Sequence, residues 1–220
     1  MAYQAKYWNG TSWVAVANAS FDTSGLVKTT GNTGTVDLSG ASVVKGAGMD
    51  LIVPTSVTGG TYSASGAISF SAATAVNVNG CFTSAYQNYL VIIKADMSAA
   101  DQTGFRLRLA GTDATGSNYK TSWNVATDGG AEDFSSYAST GRTSGFVSAS
   151  SSAYTFFTSL EISAPQLAVP TLCLGKMVNT QVAQGTTGTI HNVSTAYDGF
   201  TLFAFSGNLT GTLRIYGYHN

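Results

Sequence analysis

The chain has 220 residues, of which 44% are hydrophobic and only 10% charged, with a formal net charge of −1. Ten Lys and Arg spread along the whole length form no basic stripe for a nucleic-acid groove, and no apolar run approaches the ~18 to 20 residues of a membrane-spanning helix. Ser, Thr, Asn and 25 Gly must supply the polar surface, a composition common on durable β proteins held in fixed assemblies.

The opening residues, Met1-Ala2-Tyr3-Gln4-Ala5-Lys6, lack the apolar core of a signal peptide, so the expectation is cytoplasmic synthesis without membrane insertion. Next comes Tyr7-Trp8-Asn9-Gly10-Thr11-Ser12-Trp13-Val14. Asn-Gly between aromatic and β-branched residues is a strong hairpin signal, because both turn residues tolerate positive φ. Two tryptophans on one small ribbon carry more apolar area than it leaves in water. They pack either on this chain's own body or, the favoured reading, as a docking plug in another protein or in a sister chain. Residues 1–16 are therefore an expected attachment hairpin.

Residues 17–65 are dominated by small residues, Thr and Gly, with short β-like pieces at Thr35–Leu38 and Met49–Pro54. Little here fills a private core, which predicts an extended arm whose strands pair with a neighbour. From residue 66 to 220, strand-length apolar runs alternate with Gly, Ser, Asn and Asp breaks. The expected strands are Ala67–Phe70, Ala75–Phe82, Tyr89–Ala95, Gly104–Ala110, Lys120–Val125, Arg142–Val147, Thr155–Ile162, Thr171–Val178, Gly188–Val193, Thr201–Phe205 and Gly211–Tyr218. Phe105 and Leu107 oppose Arg106 and Arg108, and Leu213 and Ile215 oppose Arg214 and Tyr216. Period-two alternation of this kind predicts two packed antiparallel sheets, an all-β, jelly-roll-like sandwich. Residues 112–118 and 127–141 are the longest polar loops.

The chemistry-bearing residues are few. Cys81 and Cys173 lie in apolar contexts and read as small buried hydrophobes. His191 and His219 are the only histidines, and the abundance of Ser and Asp makes a catalytic triad no more than coincidence. Asp128, Glu132 and Asp133 form one local acidic cluster, better read as a solvated loop than as a calcium site. Asp113 with Asp128 or Glu132 is the one imaginable carboxylate pair for glycoside hydrolysis, and nothing selects it. No enzyme activity, cofactor or metal is expected. Tyr119, Trp123, Asn124, Asp128 and Tyr137 cluster around the long loops as a candidate glycan or receptor surface, since aromatic faces beside amides and carboxylates suit sugars. Against that reading, Trp123 also suits a core or interface position.

Three stretches resemble tailed-bacteriophage virion proteins. They are Ala67–Phe70 with Phe82–Ile92, Arg106–Tyr119 and the ending Gly211–Tyr218. The Tyr7–Val14 hairpin is similar to those near the attachment ends and joints of phage fibres. The resemblance implies a non-enzymatic virion structural protein, a homotrimer whose sandwich is displayed on the particle. Residues Tyr7, Trp8, Asn9, Gly10 and Trp13 would then attach it to other virion proteins. It also implies a tail-fibre or tail-tip component that contacts a host cell-surface glycan, the alternative being a head decoration protein that stabilises the capsid.

Overall fold

The computed structural model describes residues 6–8, 11, 13–15, 28–30, 35–37, 48–126, 135–150, 152–181 and 184–218. The chain divides into two compact units, Met1–Gly46 and Ala47–Asn220. Among the described residues, the first holds two antiparallel ribbons. One pairs β1 (Lys6–Trp8) with β2 (Trp13–Ala15), setting Trp8 directly opposite Trp13. The other pairs β3 (Lys28–Thr30) with β4 (Thr35–Asp37). The hairpin expected around Asn9-Gly10 is thus present, although Asn9 and Gly10 lie outside the described residues.

The second unit contains β5 (Met49–Leu51), β6 (Ser56–Thr58), β7 (Thr61–Tyr62), β8 (Ile68–Ala73), β9 (Ala75–Asn79), β10 (Asn88–Met97), β11 (Asp101–Leu109) and β12 (Thr112–Asp113). They are followed by β13 (Tyr119–Ala126), β14 (Ser135–Arg142), β15 (Gly145–Ser150), β16 (Tyr154–Ser163), β17 (Thr171–Asn179), β18 (Gln184–His191), β19 (Gly199–Ala204) and β20 (Leu209–Tyr218). The large sheet runs β14-β13-β18-β17-β16-β10-β20-β8-β7, with β5 also on β20, and the small sheet runs β12-β11-β19-β9-β6, with β15 also on β11. Within these orders, β8-β20-β10-β16 faces β9-β19-β11-β15. The chain crosses between the sheets at each step from β8 to β11, from β12 to β13, at both steps from β14 to β16, and at both steps from β18 to β20. That is the eight-strand order of a jelly roll. Strands β17, β18, β13 and β14 widen the large sheet beyond β16.

Alternation is the cause. Tyr89, Val91, Ile93, Ala95 and Met97 on β10 are buried, as are Phe156, Leu160 and Ile162 on β16 and Leu209, Leu213 and Ile215 on β20. They meet Val76, Val78, Phe105, Leu107, Phe200 and Leu202 from the small sheet in one core cluster. Both cysteines are free and buried, as their apolar contexts predicted.

Two expectations change. The arm expected to run to residue 65 gives way at residue 47, because β5 pairs with β20, β6 with β9 and β7 with β8. These short strands need no core of their own, since they extend the edges of sheets that already have one. The loop expected over 127–141 contains β14, and the strand expected over Arg142–Val147 straddles the turn between β14 and β15. Ser-Ser-Tyr-Ala-Ser-Thr-Gly-Arg shows no apolar alternation, because an edge strand is held by its ladder with β13.

At Gly145 an added Cβ would lie 2.1 Å from the ring of Phe105, which is fully buried. Gly111 (φ +79°) has open space around it and pairs with Ala110 (φ 49°) in the two-residue turn of the β11–β12 hairpin. Gly145→Ala is therefore expected to cost about 1–3 kcal/mol by overpacking, and Gly111→Ala about 1 kcal/mol from φ alone. Urea unfolding of both variants checks the order, and equal losses would contradict the packing account.

Candidate binding surfaces

Strand β13 decides the fate of the expected glycan residues. Its inward positions are 119, 121 and 123 and its outward ones 120, 122 and 124. Tyr119 is fully buried, its hydroxyl accepting a hydrogen bond from the Leu107 amide at 2.9 Å and its ring edge-on to Phe105 and His191. Burial pushes its phenol above the ordinary range. Tyr119 therefore leaves the candidate surface, because strand parity turns it into the core although polar loops precede it. Trp123 is half-buried and stacks flat on Phe146, centroids 4.8 Å apart and planes 10° apart. The Arg142 guanidinium lies 5.5 Å from its ring. Asn124 is exposed on the opposite face. Tyr137 stands across from Trp123 in the β13–β14 ladder, but its side chain, Asp128, Glu132 and Asp133 lie outside the described residues. Among the described residues the expected glycan set does not converge, and no three His, Cys, Asp or Glu come together as a metal site.

The small sheet's outer face carries a polar knot. Arg108, only 7% exposed, donates to Asp113 and the Gly111 carbonyl, to Thr201 Oγ1 at 2.7 Å and to Asn79 Oδ1 at 3.0 Å. Thr201 Oγ1 in turn donates to Asp113 at 2.6 Å. Beside the knot, Arg106 lies 4.2 Å over the Phe203 ring. A buried guanidinium is tolerated only when paired and hydrogen-bonded, and this knot satisfies it. Asp113 is thereby committed to Arg108 and is not a spare carboxylate for hydrolysis.

His191 is buried between Tyr119 and Tyr197, with ring centroids at 4.2 and 5.3 Å. Its Nδ1 lies 3.4 Å from the Tyr197 hydroxyl, while Nε2 is buried with no hydrogen-bond partner among the described residues. Burial without an opposite charge disfavours the imidazolium.

The large sheet's outer face is different in kind. Phe157, Leu172, Leu174, Val178, Ile190, Met49 and Leu51 are all exposed. Leu172 and Leu174, each 51% exposed, stand along β17 as a ridge. One shallow groove beside it is lined by Asn88, Glu161, Ser163, Leu172, Leu174 and Tyr218, and another by Lys120, Ser122, Leu172, Gly188 and Ile190. Sequence reading missed this face. The signal was present in Thr171-Leu-Cys-Leu-Gly-Lys-Met-Val-Asn179, which is apolar on both parities as strands covered on both sides are.

Fold and surface together define a jelly-roll sandwich with an apolar outer sheet face. The chain matches no protein-family model, no curated protein and no solved structure.

Two outcomes follow. Trp123→Ala is expected to cost about 2–3 kcal/mol through loss of the Phe146 stack, read as a lowered thermal midpoint; an unchanged midpoint would place the ring outside the fold's support. Burial holds His191 below its ordinary pKa of 6.5, so between the lowered value and 6.5 the unfolded chain binds a proton that the folded chain refuses. Stability is then full above about pH 6.5 and falls as pH drops through that window. Denaturant midpoints at neutral and mildly acid pH should show this slope in the native chain and a flatter one in His191→Phe; identical slopes would refute it.

Proposed function

We propose that this chain is a non-enzymatic structural protein of a tailed-phage virion, a tail-fibre or tail-tip component that attaches through its N-terminal unit and displays the sandwich for host-surface binding. The observation that carries this reading is the eight-strand jelly roll. That architecture recurs in viral capsid and lectin domains, where durable packing and ligand display are combined. A fold by itself does not specify a function. The resemblance of Arg106–Tyr119 and Gly211–Tyr218 to virion proteins supplies the rest of the support. Host-surface saccharide is the proposed ligand class, and Asn124, exposed on β13, is the member of the expected set that keeps its access among the described residues.

Capsid decoration is the second reading. It draws on the division into a small N-terminal unit and a large sandwich, which suits an arm lacing across capsid subunits. Immunogold electron microscopy with antibodies to the sandwich separates the two. Label at the tail end is the expected result, and label scattered over the head would replace host binding with decoration. Particles without label would overturn both.

A further inference from the structure

Singly scattered apolar residues on a surface need no explanation, but a contiguous patch does. The registers make one row of this patch nearly continuous. Across the large sheet, Leu174 stands opposite Glu161, Glu161 opposite Leu90, Leu90 opposite Tyr216, and Tyr216 opposite Leu51. One row along, Ile190 stands opposite Leu172 and Tyr218 opposite Met49. Direct cross-strand neighbours have Cβ atoms only ~5 Å apart, so these side chains touch a common plane. The first row is thus apolar except for Glu161, whereas in the second Ser163 and Asn88 stand between Leu172 and Tyr218 and Lys120 stands beside Ile190.

From these rows we infer that the outer face of the large sheet is a contact surface for a second copy of this chain, formed by the two large sheets stacked face to face. Three features specify a copy as the occupant. The first is size. Seven strands at ~4.8 Å spacing and a nine-residue strand at ~3.3 Å per residue give a face of about 1,000 Å², enough for the ~800 Å² each partner contributes to a standard stable interface. The second is shape. The Leu172–Leu174 ridge lies between two grooves on the same face, so the face carries both a projection and the depressions that receive one. An identical sheet also has an identical twist, which lets two faces pack aligned at about −30°. The third is charge. Lys94, Lys120, Lys176 and Arg214 share this face with Asp96 and Glu161, so two copies bring cations and carboxylates to each other.

The contact stands independently of where the protein works. Its test is the mass of the full chain by light scattering after size exclusion. The native chain is expected at twice 22.7 kDa at high micromolar concentration. The double variant Leu172→Glu/Leu174→Glu is expected as a folded monomer, with dissociation raised at least ~100-fold by two buried unpaired charges per copy. Leu174→Ser, which adds no charge, should weaken association by about 10-fold or more and serves if the double variant fails to fold. Leu109→Glu, at an exposed position on the small sheet, should leave the mass unchanged. A native chain that stays at 22.7 kDa, or folded Leu172 and Leu174 variants that keep the native mass, would overturn the inference.

Discussion

Packing of two antiparallel sheets through one shared core is the constraint on which everything else here depends. Alternate residues of β10, β16 and β20 must meet alternate residues of β9, β11 and β19, and a slip of one residue in any strand would expose its whole apolar set. Strand parity therefore fixes which side chains reach solvent long before any site is considered. It places Tyr119 in the core and Asn124 outside it, although the two are neighbours in one polar stretch of sequence. It also places Leu172 and Leu174 outside while Cys173 and Met177 are buried.

Beyond β16 the large sheet outgrows the four-strand roll, and the interior changes character there. Thr121, Thr187 and Thr189 are buried, with the Thr121 and Thr189 hydroxyls 3.1 Å apart and Thr187 bonded to the Phe146 carbonyl. Strand β15 supplies Phe146 and Val147 beneath this region, and Trp123 closes it by stacking on Phe146. Threonine suits such a place because its branched carbon packs on a pleated surface while its hydroxyl finds a partner nearby. The Arg108 knot solves a harder version of the same problem on the other sheet. There a full charge is buried, and the two-residue turn at Ala110-Gly111 folds β12 back to bring Asp113 within reach. The local chain reversal and the ion pair thus stabilise each other.

How much of this was legible follows from the same physics. Runs such as Asn88–Met97 and Leu209–Tyr218 announce themselves because one face is buried and the other is not. Strands β6, β7 and β14 were hidden, since short edge strands are held by hydrogen bonds to a neighbour and need no apolar pattern. Arg108 was readable as alternating with Leu107 and Leu109 but not as buried, because the residues that satisfy it, Asn79 and Thr201, come from distant strands. The expected glycan surface failed at Tyr119 because adjacency in sequence was taken for adjacency on a surface. Thr171–Asn179 carried the opposite lesson, since apolar residues on both parities mean that both faces of the strand seek cover.

A low charge fraction gives that last point its force. With a formal net charge of −1, copies of this chain meet with almost no electrostatic repulsion, and solubility rests on short neutral side chains. On such a molecule an open patch of leucine, isoleucine and tyrosine is the dominant feature any approaching surface encounters. Charges on the rim then contribute less to affinity than to orientation, since exposed pairs stabilise little but like charges in apposition cost a good deal. Lys120 beside Ile190 and Glu161 beside Leu174 stand within the patch, so whatever covers the leucines must also answer these charges. Burial thus supplies the drive to associate and the sparse ion pattern restricts the partner.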